Sequence, residues 1–184
     1  MDTEIGGGLN MELVRLRSPE GEEFRRAMEL YRGSFPLHEQ RREAAQREIM
    51  GRPDYQFDLI YDGTELVGLL LSWETEAFCY VEHFCIAPEM RGRRYGQRAL
   101  ELLHRRGKPV ILEIDPPVDE ISRRRQGFYE RAGYRVNPFP HVHPPYREGV
   151  QGHALVVLSW PQALSQAEYD GFDRCLKETV MEML

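Results

Sequence analysis

The stretch "IAPEMRGRRYGQRALELL", residues 86–103, sets a run of arginines and two glycines between an apolar segment and an amphipathic one. Upstream, "AFCYVEHFCIAP" (residues 77–88) reads as a strand. Downstream, Gly96, Ala99, Leu100 and Leu103 recur at helical spacing and share one stripe. Beyond them "PVILEID" (residues 109–115) supplies a strand rich in branched apolar residues. The stretch is therefore the crossover of a βαβ unit. A helix start behind a strand presents N–H groups without intrahelical partners and a partial positive charge, so a phosphate can sit there if no side chain blocks its approach. Gly92 and Gly96 permit that approach, and Arg91, Arg93 and Arg94 add charge around a polyanion. The same spacing also suits a glycine turn that leads into a helix with a solvated basic face. Neither GxxxxGK[ST] nor GxGxxG occurs, which excludes a Walker loop and a dinucleotide fingerprint.

Outward from this unit, 184 residues with 41% hydrophobic content suit one domain with a substantial core, expected over residues 11–184. Residues 1–10, with three consecutive glycines, read as a flexible leader without the basic and apolar regions of a signal peptide. A formal net charge of −6 argues against a nucleic-acid partner. No apolar run approaches the roughly 18 to 20 residues of a membrane span, so no membrane partner is expected. Cys79, Cys85 and Cys175 form no CxxC pair and leave an odd thiol, which points to a reducing cytoplasm. Oligomeric state stays open, a homodimer being the commonest soluble assembly.

The first strand is "MELVRLR" (residues 11–17), and Ser18 with Pro19 reads as the cap and first position of a helix ending near Phe35. "LHEQRREAAQREIM" (residues 37–50) reads as a second, more polar helix. Two β-rich runs flank Asp62 and Gly63, a hairpin signal. "ISRRRQGFYERAG" (residues 121–133) is a short helix stopped by Gly133, followed by the strand "YRVNP". Residues 138–152 are too rich in proline for regular structure and form a loop. "HALVVLSW" is a buried strand, and the last helix opens on a capping box of Ser165 with Glu168 and a staple of Leu164 with Tyr169. Its stripe is Tyr169, Phe172, Leu176 and Val180.

"CIAPEMRGRRYG" resembles the pyrophosphate loop of the GNAT N-acetyltransferase superfamily, R/Q-x-x-G-x-G/A behind a strand that ends in V-x-P. Arg91 fills the first position and Gly96 the last, while the fourth, usually glycine, is Arg94. The second hallmark of that family, F/L-Y-x-x-x-G-F/Y, is matched by "FYERAGY" (residues 128–134). The resemblance implies an α/β GNAT fold, a mixed and mostly antiparallel sheet with helices on both faces. It also implies acetyl-CoA as cosubstrate, direct transfer in a ternary complex and an amine acceptor, either a small molecule or a protein. Polyamine, aminoglycoside, amino acid and protein amine all fit. A catalytically silent acyl-CoA-binding or sensing domain and a general phosphate-ligand binder are the rival functions.

Acetyl transfer from a thioester to an amine needs a neutral amine, a polarised carbonyl and a proton for the departing thiolate. Glu82 and Glu113 are the carboxylates placed to take the amine proton, each also readable as an ordinary strand carboxylate. The resemblance puts Glu82 where polyamine acetyltransferases carry their proposed base, and Glu113 where ribosomal-protein acetyltransferases carry theirs. It gives Tyr129 the role of proton donor to the thiolate, although an aromatic beside Phe128 also suits packing. The family splays the strands ahead of its loops, which would expose main chain around Phe84, Cys85 and Ile86. Cys85 is not required as a nucleophile. Coenzyme contacts are expected from Arg91, Gly92, Arg93, Arg94, Tyr95, Gly96 and Gln97, and from Arg123 in "SRRRQ". His141, His143 and His153 lack a recognisable metal-ligand spacing, so no metal is assigned. Their loop, with Phe139, Tyr146 and Arg147, is read as a wall of the acceptor pocket or as packing over the sheet.

Overall fold

The alternation read on either side of Asp62 and Gly63 becomes two long antiparallel strands joined by a tight turn, with Gly63 at a φ of 59°. The computed structural model describes residues 10–182. Along the chain lie β1 (Met11–Arg15), α1 (Gly21–Ser34), α2 (Glu43–Ile49), β2 (Tyr55–Asp62), β3 (Glu65–Glu74), β4 (Cys79–Ile86) and α3 (Tyr95–His104). There follow β5 (Val110–Ile114), α4 (Glu120–Arg131), β6 (Arg135–Val136), β7 (Val142–His143), β8 (His153–Ala154), β9 (Val156–Trp160) and α5 (Gln166–Cys175). Seven strands form one sheet in the order β1-β2-β3-β4-β5-β9-β6, and β7 pairs with β8 in a separate ladder. Within the large sheet only β4 and β5 run parallel. They are joined through α3, so the crossover read from residues 86–103 is present, and the fold is the α/β class expected.

Successive side chains of a strand point to opposite faces, and here each face has its own core. Phe57, Leu59, Leu69, Leu71, Trp73, Tyr80 and Ile111 meet Phe24 and Tyr31 of α1, Ile49 of α2 and Phe172 of α5. Ile60, Val67, Leu70, Val81, Val110 and Leu112 meet Leu100 and Leu103 of α3 and Tyr129 of α4. Each such side chain contributes about 1.5–3 kcal/mol by leaving water.

Strand β4 is irregular where it matters. Leu71 pairs with His83 and Ser72 with Val81, so the register skips Glu82, a β-bulge. On the other edge the parallel ladder ends at Val81 and Leu112, although both strands continue. From Glu82 and Glu113 onward β4 and β5 diverge, and the sheet opens as a wedge.

Several boundaries differ from the sequence reading. Helix α1 starts at Gly21 with Glu20 as its N-cap, and Ser18 Oγ accepts from the Glu20 N–H (3.3 Å) rather than capping the helix. The run 37–50 is not one helix: a 3₁₀ turn at Leu37–Glu39 is followed by α2 only from Glu43. In the break, Gln40 Nε2 donates to the Phe35 carbonyl (2.6 Å), and the buried Arg41 turns into the interior. The proline-rich loop contains β7. "HALVVLSW" is split at Leu155, whose N–H leaves the strands to donate to the His141 carbonyl (3.1 Å). The Ser165 capping box forms, and α5 runs on through a π turn (Leu176–Val180) that carries Leu176 and Val180 into the core. The expected leader lies, but for Asn10, outside the described residues. Among the described residues no helix is long and apolar enough to cross a membrane.

Candidate active site

The wedge opens into a cavity of about 860 Å³. Residues 80–86 of β4, 112–114 of β5 and Asp115 just after it line its centre, the start of α3 and Phe128 and Tyr129 of α4 one side. Residues 34–36 and 38–39 and the segment 143–146 line the other. Of the residues singled out in the sequence, Glu82, Glu113, Tyr129, Phe84, Cys85, Ile86, Arg91, Gly92, Arg94, Tyr95, Gly96 and Gln97 all line this one space. Arg93 and Arg123 do not: Arg93 lies against Met90 Sδ (3.7 Å), and Arg123 donates to the Val118 carbonyl (3.3 Å). In their place Arg125, paired with Asp115 (2.7 Å), and Arg131 reach the cavity.

At the arginine junction, α3 begins on Arg94, held at a φ of 63° with no side-chain cap, two residues after Gly92 at 79°. The Arg98 N–H donates to the Arg94 carbonyl (3.1 Å), so the N–H groups of Tyr95, Gly96 and Gln97 precede the first bond of the helix. The Tyr95 hydroxyl is turned to Asp62 (2.7 Å), which leaves its main chain for the junction. At Gly96 a Cβ would stand 3.2 Å from Phe128 Cζ, so its bareness makes room for the α4 ring. Gly92, with open space around it, is the conformational glycine. Uncapped N–H groups beside Arg91 and Arg94 are donors of the kind a coenzyme A pyrophosphate takes, and the residues present fit that group.

Glu82 is occupied elsewhere. Its Oε1 accepts from Arg41 Nη2 (2.7 Å) and the Tyr146 hydroxyl (3.0 Å), and its Oε2 from the Trp73 indole (2.7 Å). The Arg41 and Glu82 side chains are 0% and 1% exposed. Burial alone would raise the carboxyl pKa, but the Arg41 charge, helped by the neighbouring groups, outweighs it and holds the pKa at about 2. So acidic a group, with both oxygens engaged, is poorly suited to the role of base that its position suggested.

Glu113 differs. Tyr80 donates its hydroxyl to Oε2 (2.6 Å), and His141 Nε2 bonds Oε1. Behind it, His141 Nδ1 lies 2.9 Å from the Tyr169 hydroxyl. His143 Nε2 stands 3.9 Å from Oε2 of Glu113, while its Nδ1 is 2.6 Å from the Pro144 carbonyl. His153 packs its ring on His38, with centroids 4.8 Å apart. Among the described residues no group of three or more His, Cys, Asp or Glu is disposed to hold a metal ion.

Tyr129 is 8% exposed, and burial pushes its phenol up to about 12. Burial likewise raises the Cys85 thiol, which keeps it from being a ready thiolate. Sequence reasoning missed Arg41 and Trp73 altogether, and it took Tyr146 only as pocket wall. Arg125 had a signal: it lies four residues before Tyr129 and so shares its helix face.

Residues 24–134 match the Acetyltransferase (GNAT) family. A Bacillus subtilis (strain 168) protein, "Putative acetyltransferase YjbC", is 24% identical over 104 residues, 55% of this chain and 52% of that one. The match thus spans about half the length of that relative. Among solved structures, "Putative acetyltransferase from GNAT family from Bacteroides thetaiotaomicron" is similar at a TM-score of 0.87 and 28% identity, covering 92% of this chain and 98% of that chain. An aminoglycoside 6'-N-acetyltransferase complexed with coenzyme A shares the fold at a TM-score of 0.61 and 15% identity, over 80% of this chain and 95% of its own. A Bacillus subtilis acetyltransferase in complex with CoA does so at 0.55 and 15%, over 82% and 97%. The family match takes in the diverging strands, the arginine junction and Tyr129 together, and the chain belongs to the GNAT acetyltransferase family.

Proposed function

We propose that this chain transfers an acetyl group from acetyl-CoA to a primary amine, by direct attack in a ternary complex. The observation that supports it is the continuous cavity joining the uncapped start of α3, the wedge between β4 and β5, and the carboxylate and histidines around Glu113. Acetyl-CoA, when bound, supplies the acyl carbonyl and the thiol leaving group. The N–H groups of Tyr95, Gly96 and Gln97, with Arg91 and Arg94, hold pyrophosphate charge. Past Val81, strand β4 is released from β5, and a main-chain N–H of residues 84–86 is the donor we assign to the carbonyl oxygen. Tyr129, with a phenol at about 12, stays protonated at neutral pH. Outright transfer to a thiolate of pKa near 8.5 is uphill, so Tyr129 donates a hydrogen bond to the sulfur as charge develops. The free thiols of Cys79, Cys85 and Cys175 support a cytoplasmic setting.

The test is a panel of amines screened for thiol release from acetyl-CoA, beside melting curves. At 100 times its Kd acetyl-CoA adds about 2.7 kcal/mol of stability. For a chain of this size that raises the melting temperature by about 5–10 °C. No shift at millimolar acetyl-CoA and no thiol release refute the reading. A shift without release from any amine favours the silent acyl-CoA-binding domain instead.

A further inference from the structure

We propose that His143 takes the proton from the acceptor amine, with Glu113 holding the ammonium against it. The proposal rests on the transferase reading above. His143 lines the cavity, 5% exposed, with its ring stacked on Tyr146 (centroids 5.0 Å, 26° between planes). A carbonyl only accepts, so the bond to Pro144 fixes the ring proton of neutral His143 on Nδ1 and leaves the lone pair on Nε2. That lone pair faces Glu113 Oε2 across 3.9 Å, too long for a hydrogen bond. Two acceptors facing each other across such a gap call for a guest that donates to both. An alkylammonium, with three N–H donors, is such a guest.

The ammonium gives one proton to Nε2, which becomes an imidazolium beside the Glu113 carboxylate. The freed lone pair forms the C–N bond to the acyl carbon while the C–S bond breaks, and that electron pair leaves on the sulfur. Of the two protons the nitrogen loses, the first passes through His143 to solvent. The second, released as the amide forms, ends on the thiol.

The surroundings suit this role. Glu113 is fixed by Tyr80 from β4 and by His141, the residue just before β7. His153 is the cross-strand partner of His143 on β8. The Glu82 and Arg41 pair lies behind Tyr146. His83, on β4, couples unfavourably with a charged His143. His83 also lines the cavity, but its Nε2 is engaged by the Glu39 carbonyl (2.8 Å) and its Nδ1 is enclosed. Its lone pair is out of reach of a substrate.

The experiment compares wild type, His143→Asn and Glu113→Gln for acetyl-CoA-dependent thiol release with two probe amines. n-Butylamine is protonated at neutral pH, and 2,2,2-trifluoroethylamine is already the free base. His143→Asn, whose amide can still donate to Pro144, should lose roughly 10²- to 10⁴-fold in kcat/KM with butylamine near pH 7. It should regain about tenfold per pH unit as free amine accumulates, and lose far less with trifluoroethylamine. Nitrogen NMR of the wild-type histidines should show the Nδ1–H tautomer for His143. Glu113→Gln should raise KM for butylamine, because it removes the carboxylate that holds the ammonium, and change KM for trifluoroethylamine far less. Equal loss with both amines, no loss at all, or an Nε2–H tautomer overturns the proposal while wild-type turnover stands. No turnover by wild type with either probe or with any amine of the panel, with the acetyl-CoA melting shift intact, overturns the transfer reading and the proposal with it.

Discussion

Glu82→Gln separates a structural carboxylate from a catalytic one. The substitution keeps the shape of the side chain and removes the charge that Arg41 faces at 2.7 Å, with both side chains almost fully enclosed. Breaking a buried ion pair by removing one partner costs about 3–5 kcal/mol. The titration of Glu82 gives an independent figure. Its pKa falls from 4.5 to about 2, and two and a half units correspond to about 3 kcal/mol. The sign follows from the direction. This stability is fully present above pH 4.5 and is lost as the pH falls toward 2. At about 2–4 °C per kcal/mol, Glu82→Gln should melt roughly 6–20 °C below the parent and lose its share of the acid transition. Arg41→Met combined with Glu82→Gln should cost less than the two singles added, since both singles break the same ion pair. The assays are urea and thermal unfolding of the four proteins from pH 3 to 8, with kcat/KM for butylamine measured well below every melting point. If Glu82→Gln melts with the parent, and loses activity that rising pH restores, Glu82 is the base and the structural account fails.

Tyr129→Phe should keep its acetyl-CoA melting shift and lose roughly 10²- to 10⁴-fold in kcat; an unchanged kcat removes it from the chemistry. Gly96→Val should displace the Phe128 ring, 3.2 Å from the new Cβ, and cost about 1–3 kcal/mol in urea unfolding together with a weaker acetyl-CoA shift. Loss of the shift without loss of stability would show that the bareness of Gly96 also keeps the phosphate path clear. Ser165→Ala removes the bond to the Glu168 N–H and should cost about 1 kcal/mol, with the acetyl-CoA shift unaltered.

Much of the scaffold was legible because its signals are local. Asp62 and Gly63 mark the hairpin by turn chemistry, Ser165 and Glu168 mark a helix start by a reciprocal cap, and the stripe through Ala99, Leu100 and Leu103 marks the crossover helix by its period. The same logic failed at residues 37–50, where a helical pattern is interrupted at Gln40 and Arg41. No neighbour in sequence calls for that break. Its partner is Glu82, 41 residues away, and the ion pair is made only once α1, α2 and the bulge of β4 have assembled. Helix propensity is a weak prior against such a tertiary demand.

The two glutamates show why a site is harder to read than a fold. Glu82 and Glu113 are each one residue past the last rung of the parallel ladder, one on either strand, and in sequence nothing ranks them by chemistry. Their difference is conferred from outside the βαβ unit. Glu82 is neutralised by an arginine from the break before α2, and Glu113 is met by two histidines from the segment after β6. An amine entering the wedge therefore finds one carboxylate already satisfied by a fixed cation and one still facing a basic ring. A mobile positive charge is drawn to the second, because the first would have to give up Arg41 in a place where water cannot take it. The arginine-junction end of the cavity is thus carried by contiguous residues and readable as a motif, whereas the end around Glu113, where we propose that the acceptor enters, is assembled from three distant segments. Variation among those segments, rather than in the arginine junction, is where acceptor preference can change without loss of the fold.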